Sequence, residues 1–207
     1  MTVLSWFLPD LNTESSKKRL RGYALTHSLA SRTLRFWPLD PPRFELIVGY
    51  DLRKFERYYN TLRLPWGSLE NSIDTKLLEK DPSMIIAWKE NDQVIGHAIW
   101  HESNTEEHRA GSRRDEDDRR LLTRFLGQGK EFVELHEVWL RKEHRGKGYG
   151  KRFFEFFENF AESRGFDTIV YYADDPAALA ICRKRGYREA VGAQSDGRPM
   201  FVLCRFL

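Results

Sequence analysis

The sequence predicts an α/β protein (α+β in the stricter sense) with a mixed, mostly antiparallel central sheet flanked by helices. Two β-rich runs, residues 84–88 and 93–100, are joined by the short segment 90–92 and predict an antiparallel pair. A strand-like run at 131–140 is followed by a long helical pattern and another strand-like run, which predicts a parallel crossover. The predicted order of elements is β-α-α-β-β-β-α-β-α-β-β.

The predicted domain begins with a strand followed by two helices. The segment FELIVGY, residues 44–50, is β-rich, and Asp51 is a residue type that caps helix N-termini. Residues 65–67, Pro-Trp-Gly, end this first helix, and a second helix is predicted over 68–80.

The second half of the chain contains the most regular helix. Residues 147–164 place aromatic side chains at steps of three and four, and Gly165 stands where a helix favours a left-handed residue. Shorter apolar runs predict strands at 166–173, 187–190 and 200–207, a helix at 176–185 and a turn at 195–197.

Residues 1–43 are predicted to form an extension that precedes the domain at 44–207. Residues 15–36 are rich in Lys and Arg with apolar residues at loosely helical spacing, which favours an amphipathic helix packed on the domain or on the partner of a homodimer. A nucleic-acid-binding arm is disfavoured because aromatic residues are scarce there.

The composition indicates a soluble protein with a packed core. Of the 207 residues, 41% are hydrophobic and 31% are charged, and a net charge of +3 does not demand a nucleic-acid or membrane partner. No apolar run approaches the roughly 20 residues that span a bilayer, and no secretory leader is recognisable. Cys182 and Cys204 are too few for a disulfide framework and lack metal-ligand spacing. We therefore expect a reduced, cytoplasmic protein with no metal.

A charged insert, residues 102–129, separates two predicted strands. Its segment RRDEDDRR, residues 113–120, favours a solvated loop or an exposed helix. Apolar residues that could anchor a short helix there are Leu121, Leu122, Phe125 and Leu126. The alternative is a loop that closes over a substrate site.

The strand-to-helix junction RGKGYG carries the strongest functional signal. Glycines let a backbone approach a ligand and adopt positive φ, and the first amides of a helix have no internal partner. With the basic residues between and after the glycines, the junction predicts a pyrophosphate site. The residues concerned are Arg145, Gly146, Lys147, Gly148, Gly150 and Lys151.

Two other nucleotide-binding motifs fail on spacing. A Walker loop needs GxxxxGK[ST], but Lys151 is followed by Arg152. A dinucleotide fingerprint needs GxGxxG, whereas the junction reads GxGxG.

The hexapeptide resembles the [Q/R]-x-x-G-x-[G/A] signature of the GNAT superfamily of acetyl-CoA-dependent N-acetyltransferases. The resemblance extends to the predicted order of elements from residue 44 to 207 and to ALAICRKRGY, residues 178–187, which is similar to the family's A-x-x-x-Y-x-x-x-G-[F/Y] segment. It implies a GNAT-like fold, acetyl-CoA as cosubstrate and a small-molecule or protein amine as acceptor.

For the cosubstrate, the resemblance implies that the strand before the junction splays from its parallel neighbour. Backbone groups of Val138 and Leu140, with Trp139 between them, would then receive the pantetheine arm. Tyr149 would pack its ring at the start of the helix and supply a backbone N–H. Asp175 replaces a frequent asparagine that contacts the cofactor, although beside Pro176 it also fits a helix N-cap.

For catalysis, an amine must lose a proton before it attacks a thioester. Glu134 lies eleven residues before Arg145, where some protein-acetylating members of the family have a glutamate base. Strand alternation would put Glu134 and His136 on one face and Glu137 on the other. His136 or a water relay is the alternative base.

The family's usual acid, a tyrosine, is replaced by Cys182. The thiol could donate a proton to the departing thiolate, or it could be a small buried filler. Tyr171, Tyr172 or Tyr187 could substitute, or no dedicated acid exists. The replacement also motivates a second hypothesis, a catalytically silent acyl-CoA-binding or regulatory module.

The acceptor is not legible in the sequence. Tyr58, Tyr59 and Trp66 could line an aromatic acceptor pocket, but packing in the core explains them equally well.

Overall fold

The computed structural model describes residues 44–108, 111–173, 175–190 and 200–204. The predicted extension 1–43, the turn at 195–197 and the last residues of the final strand lie outside this part of the chain. Within it, no helix is long and apolar enough to cross a membrane.

Strands form the centre of the fold. They are β1 (Phe44–Val48), β2 (Ile85–Glu90), β3 (Gln93–Asn104), β4 (Glu107–His108), β5 (Ser112–Arg113), β6 (Glu131–Leu140), β7 (Thr168–Tyr172), β8 (Arg188–Ala190) and β9 (Met200–Cys204). Strands β4 and β5 form a hairpin of their own, and the others form one sheet in the order β1-β2-β3-β6-β7-β9-β8. Its neighbours are all antiparallel except β6 and β7. The predicted fold class is confirmed.

Six helices are present in the described residues. They are α1 (Leu52–Asn60), α2 (Leu69–Ser72), α3 (Thr75–Lys80), α4 (Glu116–Leu126), α5 (Tyr149–Ser163) and α6 (Pro176–Lys184). Aspartates cap several of them: Asp51 accepts a hydrogen bond from the Lys54 amide at 2.9 Å, as predicted, and Asp115 accepts one from the Asp118 amide at 2.9 Å.

The second predicted helix, 68–80, is instead two short helices, α2 and α3. Ile73 has extended backbone angles (φ −148°, ψ 150°), and Asp74 then caps α3 by accepting from the Lys76 amide at 3.0 Å. An aspartate side chain that bonds nearby amides competes with helix continuation, and an amphipathic pattern does not reveal that interruption.

Helices cover both faces of the sheet. On one face, Trp88 lies 4.9 Å from the Phe153 ring of α5, measured between ring centroids. On the other face, Phe55 of α1 and Leu78 of α3 pack with Ile85 and Ile99 of the sheet. Neighbouring strand residues alternate between these two clusters, which places the residues of β6 on one face or the other.

The charged insert contains an exposed helix, one of the two predicted alternatives, but it is also anchored in the fold. It extends β3 to Asn104, forms the β4–β5 hairpin and continues as α4, whose Leu122 is fully buried against Phe132 and Val170. Two of its charged residues, Arg114 and Asp118, are buried and form an ion pair at 2.6 Å. Charges are buried when they are paired in this way, which a run of mixed charge cannot show.

Candidate active site

The glycine junction forms a turn that leads into α5. Gly146 and Gly148 have φ of +77° and +81°, a region that residues with a Cβ rarely adopt. The first helical hydrogen bond runs from the Arg152 amide to the Gly148 carbonyl at 3.1 Å, so the amides between them precede it. Gly150 has a different role, since an added Cβ would lie 2.9 Å from Ile181 of α6.

Side chains around this turn add positive charge and fix its shape. Lys147 and Lys151 are exposed. Arg145 donates to the Leu140 carbonyl at 3.0 Å and lies 3.7 Å from Asp175. The Tyr149 ring stacks on Phe44 with centroids 4.6 Å apart, and its hydroxyl donates to Glu90.

Asp175 serves as the N-cap of α6. It accepts hydrogen bonds from the Ala177 and Ala178 amides at 2.8 and 3.2 Å. The helix-cap interpretation of this residue is therefore confirmed, and a contact with a cofactor stays a prediction.

Strand β6 separates from its parallel neighbour before it reaches the turn. Their register pairs Val133–Leu135 with Ile169–Tyr171 and goes no further, while β6 continues beside β3 to Leu140. The backbone of Val138, Trp139 and Leu140 therefore borders a gap on the side of β7. A splayed strand edge that ends at a basic glycine turn fits an extended ligand with a pyrophosphate at one end.

A β-bulge lies where the two strands separate. Ile99 of β3 pairs with Glu137, but the next residue, Trp100, pairs with Leu135, so His136 is an extra residue in β6. The predicted alternation is wrong here, because the bulge turns Glu137 toward the face that also carries Glu134 and His136. A bulge depends on pairing with a distant strand, and a simple period of two cannot reveal it.

Glu137 is held by donors from three elements. It accepts hydrogen bonds from the Tyr59 hydroxyl at 2.9 Å and the Ser72 hydroxyl at 2.8 Å, and His97 Nε2 lies 2.8 Å from its other oxygen. Burial would raise the pKa of Glu137, but the hydrogen bonds from His97, Ser72 and Tyr59 hold it below its usual value. The side chain remains 10% exposed. The structure thus presents a fixed, ionised carboxylate at the bulge.

Glu134 has a more enclosed environment. Its side chain is only 2% exposed, with one oxygen 2.6 Å from Arg114 and the other 3.3 Å from His108 Nδ1. Burial would raise the pKa of Glu134, but the contacts with His108, His101 and Arg114 hold it well below its usual value. These contacts weaken the prediction that Glu134 is the general base.

His136 lies between the two glutamates. Its Nε2 is 3.0 Å from the Ser72 carbonyl oxygen, which only accepts hydrogen bonds, so Nε2 carries a proton, and in the neutral imidazole Nδ1 carries the lone pair. A histidine in this tautomer can accept a proton at Nδ1, and the prediction that His136 is the alternative base remains chemically sound.

Cys182 lies inside the core. It is fully buried in the cluster that contains Phe154 and Tyr187, and burial raises the pKa of the thiol to about 12. Its surroundings favour the small buried filler over the proton donor. Tyr172 is also engaged elsewhere, since its hydroxyl donates to Asp118 at 2.5 Å.

The aromatic residues proposed for an acceptor pocket separate into two groups. Tyr59 is fully buried and Tyr58 is 9% exposed, so both belong to the core. Trp66 is 42% exposed, and its indole nitrogen donates to the Tyr59 hydroxyl at 2.6 Å. Trp66 thus connects the surface to the hydrogen bonds around Glu137.

Sequence reasoning missed His97, His101 and Arg114. His97 and His101 are four positions apart on one strand, a spacing that could have shown that they share a face. No local pattern indicates that Arg114 is buried against Glu134, because that contact joins segments far apart in the chain.

The chain belongs to the GNAT family of acetyltransferases. The model of the "Acetyltransferase (GNAT) family" matches residues 49–187, more than half of the chain. Members of this family use acyl-CoA, and the fold and the glycine turn described above agree with the assignment. Among curated proteins, none matches the sequence at a significant level.

Solved structures share the fold at low sequence identity. Polyamine N-acetyltransferase of Drosophila melanogaster is 11% identical, with a TM-score of 0.56 over 78% of this chain and 100% of that one. Arylalkylamine N-acetyltransferase 2 of Aedes aegypti is 16% identical, with a TM-score of 0.54 over 80% and 99%. The NatC complex, solved with Gag peptide and CoA bound, contains a chain that is 13% identical, with a TM-score of 0.52 over 79% and 98%.

Proposed function

We propose that the protein transfers an acetyl group from acetyl-CoA to a primary amine by direct attack within a ternary complex. The observation that carries the proposal is the position of Glu137. This ionised, partly exposed carboxylate lies on the bulge, next to the strand edge that leads into the glycine turn.

The turn and the strand edge support acetyl-CoA as the donor. The first amides of α5 would receive its pyrophosphate, with Lys147 and Lys151 neutralising the charge. Backbone groups of Val138 and Leu140 would hold the pantetheine arm by hydrogen bonds, and the ligand would share or displace the bond that Arg145 donates to the Leu140 carbonyl. Gly146 and Gly148 keep this surface free of side chains.

Glu137 is proposed as the proton acceptor. In this reaction the amine nitrogen bonds to the acetyl carbon, the bond from that carbon to sulfur breaks, and the amine proton passes to Glu137 directly or through one water. Donors from Tyr59, Ser72 and His97 fix the carboxylate in place, so its position does not depend on the acceptor. The thiolate takes its proton from water, because Cys182 is buried in the core.

An acyl-CoA-binding module without catalysis is the second candidate function. The observation that favours it is Cys182 in place of the family's tyrosine, in a buried position with a raised pKa. Such a module would bind acetyl-CoA and leave every amine unmodified.

Rates of coenzyme A release across a panel of amines distinguish the acetyltransferase from the non-catalytic module. We expect turnover with at least one amine, and Glu137→Gln should lower kcat for it by about 100-fold while acetyl-CoA still binds, because general-base catalysis contributes about 10²–10⁴. Glu131→Gln is the matched control, since Glu131 is exposed on the same strand and should leave kcat unchanged. Acetyl-CoA binding without turnover for any amine would favour the silent module.

A further inference from the structure

Three side chains that the proposed reaction does not use converge on the sheet face beneath the insert. His101 of β3 and Glu134 and His136 of β6 each offer one ligand atom, and these atoms lie within 4.8 Å of one another. His101 and Glu134 are each 2% exposed, and His136 is partly buried. They form a cluster of nitrogen and oxygen ligand atoms that is shielded from water.

Backbone carbonyls orient both histidines. His101 Nδ1 lies 3.2 Å from the Glu102 carbonyl oxygen, and His136 Nε2 lies 3.0 Å from that of Ser72. A carbonyl oxygen only accepts, so each of these nitrogens carries a proton, and in the neutral imidazole the other ring nitrogen carries the lone pair. A histidine that donates one N–H to a backbone carbonyl is the usual arrangement around a protein-bound metal.

The lone pair of His101 then faces another acceptor. His101 Nε2 lies 3.8 Å from Glu134 Oε1, so in the neutral imidazole its lone pair faces the carboxylate oxygen. A positive charge between these two atoms stabilises both, and either a proton on Nε2 or a metal ion held by His101, Glu134 and His136 supplies it. We infer that His101, Glu134 and His136 bind one divalent transition-metal ion of the zinc class.

The donor set and its dimensions suit such an ion. Imidazole nitrogen and carboxylate oxygen bind zinc at about 2.0–2.2 Å, so ligand atoms around one ion lie at most about 4 Å apart. Side-chain rotations that move the ligand atoms by about 1 Å would bring them within about 4 Å of one another. His108 Nδ1, 3.3 Å from Glu134 Oε1, is the nearest candidate for a fourth ligand.

Arg114 is compatible with the metal site because it contacts Oε2 of Glu134 and leaves Oε1 available to the ion. Its guanidinium contacts Glu134 Oε2 at 2.6 Å and Asp118 at 2.6 Å, while Oε1 faces the histidines. The charges of Arg114, Asp118 and Glu134 sum to one negative charge, which a divalent ion would offset. The ion would tie β3, β6 and the insert together, and Glu137 would remain available to the acceptor amine.

Titration of the full-length protein with Co²⁺ alone tests the site. The protein is made without a histidine tag, stripped with a chelator and monitored by visible absorption. We expect one equivalent of Co²⁺ to bind with the intense visible bands of a four-coordinate ion, and Zn²⁺ to displace it. His101→Gln and His136→Gln should each weaken binding by at least about 100-fold.

His144→Gln is the matched control, because His144 pairs with Glu90 beside the glycine turn and lies outside the cluster. Circular dichroism and melting temperature verify that each variant is folded, so that lost binding is not lost structure. Glu134→Gln is avoided because it would remove one of the two carboxylates that pair with the buried Arg114. Wild-type protein that binds Co²⁺ no more tightly than the His101 and His136 variants, or that takes up no Co²⁺, would overturn the inference.

Discussion

Glu134 and Glu137 are three positions apart on β6, and the fold places them in different environments. Glu134 is 2% exposed and contacts Arg114 and His108, so its charge is compensated inside the protein. Glu137 is held by neutral and histidine donors and remains 10% exposed. A carboxylate that accepts a proton from an incoming amine needs an environment like that of Glu137. A guanidinium partner such as Arg114 would compete with the amine for the carboxylate.

Replacement of Cys182 by alanine decides between the two interpretations of this residue. We expect Cys182→Ala to lower the free energy of unfolding by about 1 kcal/mol, since it removes a buried sulfur atom from the core, and to leave kcat within about two-fold. Denaturant unfolding and coenzyme A release measure the two effects. If turnover instead slowed by about 100-fold or more while stability stayed unchanged, Cys182 would be restored as the acid.

The sequence predicted the residues of the glycine turn better than it predicted the orientation of Glu137, the proposed base. The turn at Gly146 and Gly148 can be predicted from the sequence because a left-handed backbone before a helix favours glycine, which is a local requirement. The orientation of Glu137 cannot be predicted from such a local requirement. Its orientation follows from a bulge opposite β3 and from donors on α1 and α2, all of which are remote in sequence.

At the scale of elements, the charged insert is part of the folded domain. Helix α4 packs through Leu122 on β6 and β7, and Arg114 just before it pairs with Glu134 of β6. Amphipathic spacing predicted its anchoring residues and composition predicted an exposed helix, but neither predicted the burial of Arg114 and Asp118. The cost of burying charge is met by partners on other elements, and these pairings appear only in three dimensions.

Truncation of the insert's anchor tests this packing. Leu122→Ala should lower the free energy of unfolding by about 2–4 kcal/mol, because Leu122 is fully buried and the substitution creates a cavity. Leu121→Ala is the control, since Leu121 is half-buried on the same helix and should cost clearly less. Equal effects in denaturant titrations would show that α4 is not a packed element.

At the scale of the whole molecule, the parallel pair formed by β6 and β7 organises the proposed site. Strands β6 and β7 must be joined by a crossover, and α5 supplies it, so the N-terminus of α5 comes to the edge where the strands separate. This arrangement was predictable, because the order of elements and the rules for crossovers restrict it strongly. The family assignment agrees with it, and the acceptor's identity depends on surfaces that neither the order nor the glycine turn determines.

Calorimetric titration of acetyl-CoA into a matched pair of variants tests the central claim, that the start of α5 holds the cosubstrate. Gly148 and Gly165 flank the same helix, both have positive φ (+81° and +88°), and neither has an atom within 4 Å of an added Cβ. Gly148→Asp and Gly165→Asp therefore introduce similar backbone strain and the same charge at opposite ends of α5.

We predict that Gly148→Asp weakens acetyl-CoA binding by at least about 100-fold, because a carboxylate there repels the pyrophosphate and occupies its space. Gly165→Asp should bind acetyl-CoA as the wild-type protein does. Equal affinity of the two variants for acetyl-CoA, both close to that of the wild type, would contradict the account.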